Sequence, residues 1–61
     1  MNQGLLDKKQ VARILNTSAR HVMDLGRRGV LRRVLVGRLV RFRLEDVETY
    51  IKGQINQGVA Q

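Results

Sequence analysis

The sequence predicts a mainly α-helical domain: three short helices, with one small β-hairpin between the second and the third. Three observations predict it. Apolar residues recur at helical spacing in three stretches, alternation of the strand kind flanks Gly37, and a capping side chain or an acidic pair stands at the start of each helical stretch.

In "LLDKKQVARIL", Asp7 can accept from the first free amides of a helix and Gln10 stands three residues on, the spacing of a capping box. Helix 1 therefore begins at Lys8. Val11, Ala12, Ile14 and Leu15 form its apolar stripe, with Lys8, Lys9 and Arg13 toward solvent, and Asn16 tolerates the left-handed conformation that ends helices. Ser18 follows almost at once as a second N-cap, which is helix-turn-helix spacing. At about 100° per residue, Val22, Leu25, Gly26 and Gly29 share one side of helix 2. Arg20, Met23, Asp24 and Arg27 share the other, with His21 and Arg28 flanking them. Gly29 supplies the stop, and Ala at Gly26 would add about 1 kcal/mol unless a close helix crossing needs the glycine.

"RRVLVGRLVRFR" reads as a half-buried hairpin in which Val34, Val36, Val40 and Phe42 face inward. For Val36 and Val40 to face the same way, Gly37, Arg38 and Leu39 must form a three-residue loop, with a two-residue Gly37–Arg38 turn as the alternative. Both place Arg38 at the tip. Glu45 and Asp46 then mark a helix start, and Leu44, Val47, Tyr50 and Ile51 form its packing stripe. The expected domain is residues 1–52, with 53–61 a frayed tail rich in glycine and glutamine. The whole is a three-helix winged helix-turn-helix.

Sixty-one residues bury only about 60% of the unfolded chain's surface, which leaves little room for a large enzyme pocket. There is no cysteine, hence no disulfide or thiolate metal site, and no apolar run approaches a membrane span. The N-terminal residues also lack the apolar stretch of a signal peptide. A net charge of +7 points to a polyanion. That charge is segregated: Lys8 to Arg43 holds eleven basic residues against one acid, a local +10, whereas residues 44–61 carry −2.

These patterns make the exposed side of helix 2 the first candidate site. Its N-terminal turn, opened by Ser18, offers free amides to a phosphate. Arg20, Asp24 and Arg27 project together as a major-groove helix requires, and arginine can bridge O6 and N7 of guanine. The same face also reads as a solvated one in which Asp24 pairs with Arg20 or Arg28. The hairpin, with Arg33, Arg38, Arg41 and Arg43, is the second candidate: a wing whose tip enters the minor groove, or a hairpin whose charges only block edge pairing. Lys8, Lys9 and Arg13 are candidates for phosphate contacts. His21 alone makes no catalytic constellation, and adjacent Glu45 and Asp46 diverge on a helix, so no enzyme, cofactor or metal is expected. With Phe42 and Tyr50 the only aromatics, stacking of single strands is disfavoured.

"QVARIL", "NTSARHV", "RRGVL", the "VG" before the tip and "RFRLEDVETYI" together resemble the excisionase and AlpA-type winged helix-turn-helix family, related to the DNA-binding end of MerR regulators. The resemblance spans about residues 5–51. Arg32 stands where the family often has proline, Val40 where it has a large aromatic, and Gly26 where it has an apolar residue. The resemblance implies that residues 18–28 are the major-groove helix and that Gly37 and Arg38 lie near the minor groove. It further implies a recombination directionality factor of a phage or integrated element, with double-stranded DNA and an integrase as partners. Cooperative self-association on DNA, a cytoplasmic, nucleoid-associated location in a bacterial host, and no membrane or small-molecule effector complete that expectation. The alternatives are a small transcriptional regulator of the same fold and, from another class, a basic protein-interaction module.

Overall fold

A computed structural model describes residues 5–59, with side-chain surroundings for residues 5–55. The chain runs β1 (Leu5–Leu6), α1 (Lys8–Leu15), α2 (Ala19–Arg27), β2 (Val34–Val36), β3 (Leu39–Arg43) and α3 (Leu44–Val59). This is the expected winged helix-turn-helix, with one strand more than the sequence signals. β1 pairs antiparallel with β3, Leu5 opposite Arg43 and Leu6 opposite Phe42, so the sheet order is β1-β3-β2.

Local chemistry sets the helix ends. Asp7 Oδ1 accepts from the Gln10 amide at 2.8 Å while Gln10 Oε1 accepts from the Asp7 amide at 2.9 Å, a complete capping box. Asn16 is left-handed at φ 57°, and the Thr17 amide donates back to the Ala12 carbonyl at 2.9 Å. Ser18 Oγ then accepts from the His21 amide at 3.1 Å and opens α2. At the far end Gly29 is left-handed, its amide donating to Gly26 and that of Val30 to Leu25, which is a Schellman closure.

The core is Val11, Ala12, Val22, Leu25, Leu31, Phe42 and Val47, so the three helices, β3 and the loop after α2 contribute to one cluster. Tyr50 and Ile51 pack on its edge, but Leu44, expected in the stripe of α3, is 41% exposed. Gly26 is buried, and its close neighbour is not another helix. A Cβ placed there would lie 2.8 Å from Arg33 Cγ and 3.4 Å from Phe42 Cε2, so the glycine lets the Arg33 stem lie across α2. The propensity gain from alanine is offset by displacing that stem.

The hairpin departs from its expected register. Val36 pairs with Leu39, Leu35 with Val40 and Val34 with Arg41, leaving a two-residue turn of Gly37 and Arg38. Gly37 sits at φ 63° and Arg38 has no positive φ, the pattern of a type II′ turn. Paired residues share a face, so Val40 and Phe42 point inward with Leu35, while Val34 and Val36 lie outward with Leu39 and Arg41. The three-residue loop and the inward valines of β2 are thereby overturned: a first-position glycine favours the tight turn, whose twist matches the strands.

α3 also runs on through Gly53 to Val59, although packing ends near Ile51 and residues 52–55 are exposed. Gly53 has no positive φ, so it merely weakens the helix by about 1 kcal/mol against alanine and does not stop it. Residues 60 and 61 of the expected tail lie outside the described residues.

Candidate nucleic-acid interface

The outward side of α2 forms the floor of a shallow groove of about 350 Å³ lined by Ser18, Arg20, His21, Asp24 and Arg27. Asp24 Oδ2 lies 3.2 Å from Arg28 Nε, one helical turn on. Asp24 is thus spent on Arg28, and Arg20 and Arg27 are exposed with no ion-pair partner among the described residues. Met23 is only half-buried and packs against the core edge, at the margin of this face.

A second groove, about 370 Å³, separates the start of α1 from the wing. Lys8 and Lys9 line it from the start of α1, beside Asp7, whose carboxylate caps that helix, Arg38, Leu39, Val40 and Arg41 line it from the wing, and Met23 from α2. Four cations from segments about thirty residues apart thus line one channel, a juxtaposition that no spacing in the sequence reveals. Arg13 is exposed but lines neither groove, and His21 lies on the border between the α2 face and an apolar groove beneath α3.

Not every arginine of the wing is available. Arg43 Nε and Nη2 hold the Asp46 carboxylate at 2.8 and 3.2 Å, and its Nη1 lies 2.8 Å from Glu45 Oε2. The fork ties the root of β3 to the first turn of α3, so Arg43 serves the fold. Arg41 Nη1 donates to the Val40 carbonyl at 2.8 Å, which holds it along the strand, and the Arg33 stem lies over Gly26 with its side chain exposed. Arg38, at the turn, makes no ion pair among the described residues.

The Arg43 hydrogen bonds, reinforced by its charge and that of Arg32, hold the Asp46 carboxyl below the ordinary aspartate value of 3.8; burial opposes them. A carboxylate whose pKa is lowered on folding contributes stability above its unfolded value and loses it as the pH falls through the folded one. The thermal stability of the wild type is therefore expected to fall below pH 3.8 by a component that Asp46→Asn lacks. Parallel acid profiles for the two proteins would refute the latch.

A family model described as a helix-turn-helix domain matches residues 5–55, most of the chain. The chain belongs to that family. It is a small DNA-binding helix-turn-helix protein, and its match covers every described element up to the exposed part of α3. Comparison with curated proteins and with solved structures gives no match. Within the helix-turn-helix frame, the second helix of the pair is α2, and the face it leaves exposed carries Arg20 and Arg27. Among the described residues there is no cluster of three metal-ligating side chains and no helix long and apolar enough to cross a membrane.

Proposed function

We propose that this helix-turn-helix protein binds double-stranded DNA with sequence preference and acts as an architectural factor of excisionase type, setting the direction of integrase-catalysed recombination. The observation that carries the reading is the outward face of α2, where Asp24 is paired with Arg28 and two arginines without an ion-pair partner among the described residues share the face, Arg20 in the first turn behind Ser18 and Arg27 in the last. Such a face supports insertion into the major groove with guanine readout by the arginines. Ser18, His21 and Met23 border it. The second groove supports a phosphate strand passing between Lys8 and Lys9 on one side and Arg38 and Arg41 on the other. Arg13 and Arg33 add positive potential at the periphery, and Arg43 contributes through the fold.

The role in excision rests on the resemblance to excisionases, and an AlpA-like regulator of the same fold shares the DNA-binding part of the argument. Footprinting on DNA from the host element separates them. Protection of repeated sites beside an attachment sequence, with excision by the neighbouring integrase stimulated, supports the excisionase; protection confined to a promoter supports the regulator.

Binding itself has a salt signature. Contacts to about six phosphates give a slope near −5 in log K against log salt. A flat dependence in a fluorescence-anisotropy titration would remove DNA as the main partner.

A further inference from the structure

We infer that the apolar tip of the wing, Leu39 with Val36 across the turn, is a wedge that widens the minor groove, so that the duplex is selected at the wing for ease of deformation. This deepens the DNA-binding reading and rests on it. Three neighbouring apolar side chains are exposed at the tip: Leu35 at 68%, Val36 at 44% and Leu39 at 54%. Single exposed apolar residues are ordinary, but an exposed cross-strand pair, Val36 with Leu39, on one face of a hairpin tip with Leu35 exposed on the other marks a contact surface. The register makes it so. The two-residue turn sets Val36 beside Leu39 on the outer face and leaves Leu35 on the inner one, so both faces of the tip are apolar.

The charges around this patch choose its occupant. Arg38 stands at the turn and Arg41 two residues beyond Leu39, while the outer edge of β2 is flanked by Arg32, Arg33 and Arg38. Two copies joined edge to edge about Leu35 would set Arg32 against Arg38 of the second copy, and like charges across a strand pair destabilise it. A polyanion with C–H walls suits the tip instead. The minor groove has those walls in its deoxyribose rings, and its potential is negative.

Size then dictates deformation. The minor groove is about 6 Å wide and paired strands lie about 4.8 Å apart before their side chains are counted. A single arginine fits a narrow groove; a two-stranded tip bearing Val36 and Leu39 fits only after the groove opens. Apolar side chains at such places unstack base steps and kink the duplex away, and the steps that yield most easily are TA and CA/TG, while A-tracts resist. Leu39 is the longer and more exposed of the facing pair, so it leads the wedge.

The test starts from a duplex selected by the wild-type protein from a random pool, with the wing-protected steps located by hydroxyl-radical cleavage. Two versions are made that differ only at those steps, one with an A-tract and one with TA and CA steps. Affinity, bend by end-to-end fluorescence transfer and salt slope are measured for the wild type, Leu39→Ala, Leu39→Thr and Arg38→Ala, after circular dichroism has verified folding. The Thr variant keeps a branched strand former, so a common loss in both Leu39 variants is not a hairpin defect. The wild type is expected to prefer the flexible version about tenfold. Both Leu39 variants should reduce that preference to within about twofold and straighten the duplex with the salt slope kept, whereas Arg38→Ala should lower the slope by about one. Wild-type bend and preference retained in the Leu39 variants, or a wild-type preference for the A-tract, would overturn the wedge while DNA binding stands. A dimer in DNA-free ultracentrifugation that Leu39→Ala abolishes assigns the patch to a second copy and overturns it too. Failure of the wild type to retain any duplex overturns the DNA-binding reading, and the wedge with it.

Discussion

Phe42→Ala is expected to leave the protein largely unfolded at 37 °C. The Phe42 ring is fully buried and is the largest side chain of the core, on the strand that both β1 and β2 pair with. Replacing a buried phenylalanine by alanine typically costs about 3–5 kcal/mol, part lost transfer energy and part residual cavity. At about 0.05–0.15 kcal/mol per residue, a 61-residue domain has a total stability of only about 3–9 kcal/mol. One substitution thus consumes most of the margin. Leu6, Val22, Leu25 and Val47 cannot all collapse into the gap, because they come from three different elements. Urea denaturation followed by circular dichroism reads the loss, with Ile14→Ala, at a site 44% exposed, as the reference for an ordinary surface change. A Phe42→Ala protein within about 1 kcal/mol of the wild type would mean that the core is not organised around this ring.

The second large effect is on recognition. Arg20→Ala and Arg27→Ala combined should abolish most of the discrimination between a selected site and random duplex while sparing non-specific binding. Each arginine in bidentate contact with guanine is worth about 1–3 kcal/mol of discrimination, so the pair is worth at least about thirtyfold. The two lie seven residues apart, roughly 10 Å along the helix, far enough for their contributions to add. Arg28→Ala behaves differently. It releases the Asp24 carboxylate onto the face proposed to meet DNA, so it should weaken binding to every sequence alike. Competition titrations against both kinds of duplex measure the ratio. If the double variant keeps the wild-type ratio, α2 is not the reader.

Much of this architecture was legible in local chemistry. Asp7 with Gln10, Ser18 and Gly29 each act within one helical turn, so their signals survive in a linear reading, and the buried and exposed sides of α2 follow from its period. What was hidden depends on pairing across distance. β1 is two residues long, too short for alternation to show, and exists because Leu5 and Leu6 find β3. The hairpin register was misread by giving the valines of β2 the weight that belonged to Gly37: a run of three apolar residues carries no phase, and the turn decided it. The same slip concealed the exposed tip residues. Arg43 read as one more cation of the wing: the helix start at Glu45 and Asp46 was legible, but the angle between β3 and α3 that brings the Asp46 carboxylate onto the guanidinium was not. The groove shared by Lys8, Lys9, Arg38 and Arg41 is tertiary altogether.

The connection between α1 and α2 has a further consequence. It is three residues long, with Asn16 already left-handed, its amide and that of Thr17 bonded back into α1, and Ser18 already engaged with His21. There is little slack to be taken up on binding, so the ordering entropy of the reading helix is lost during folding and need not be lost again on association. When protein and duplex meet with imperfectly matched shapes, the more compliant body must yield. On the proposed reading that body is the nucleic acid, and the mechanical work of recognition is done on the DNA.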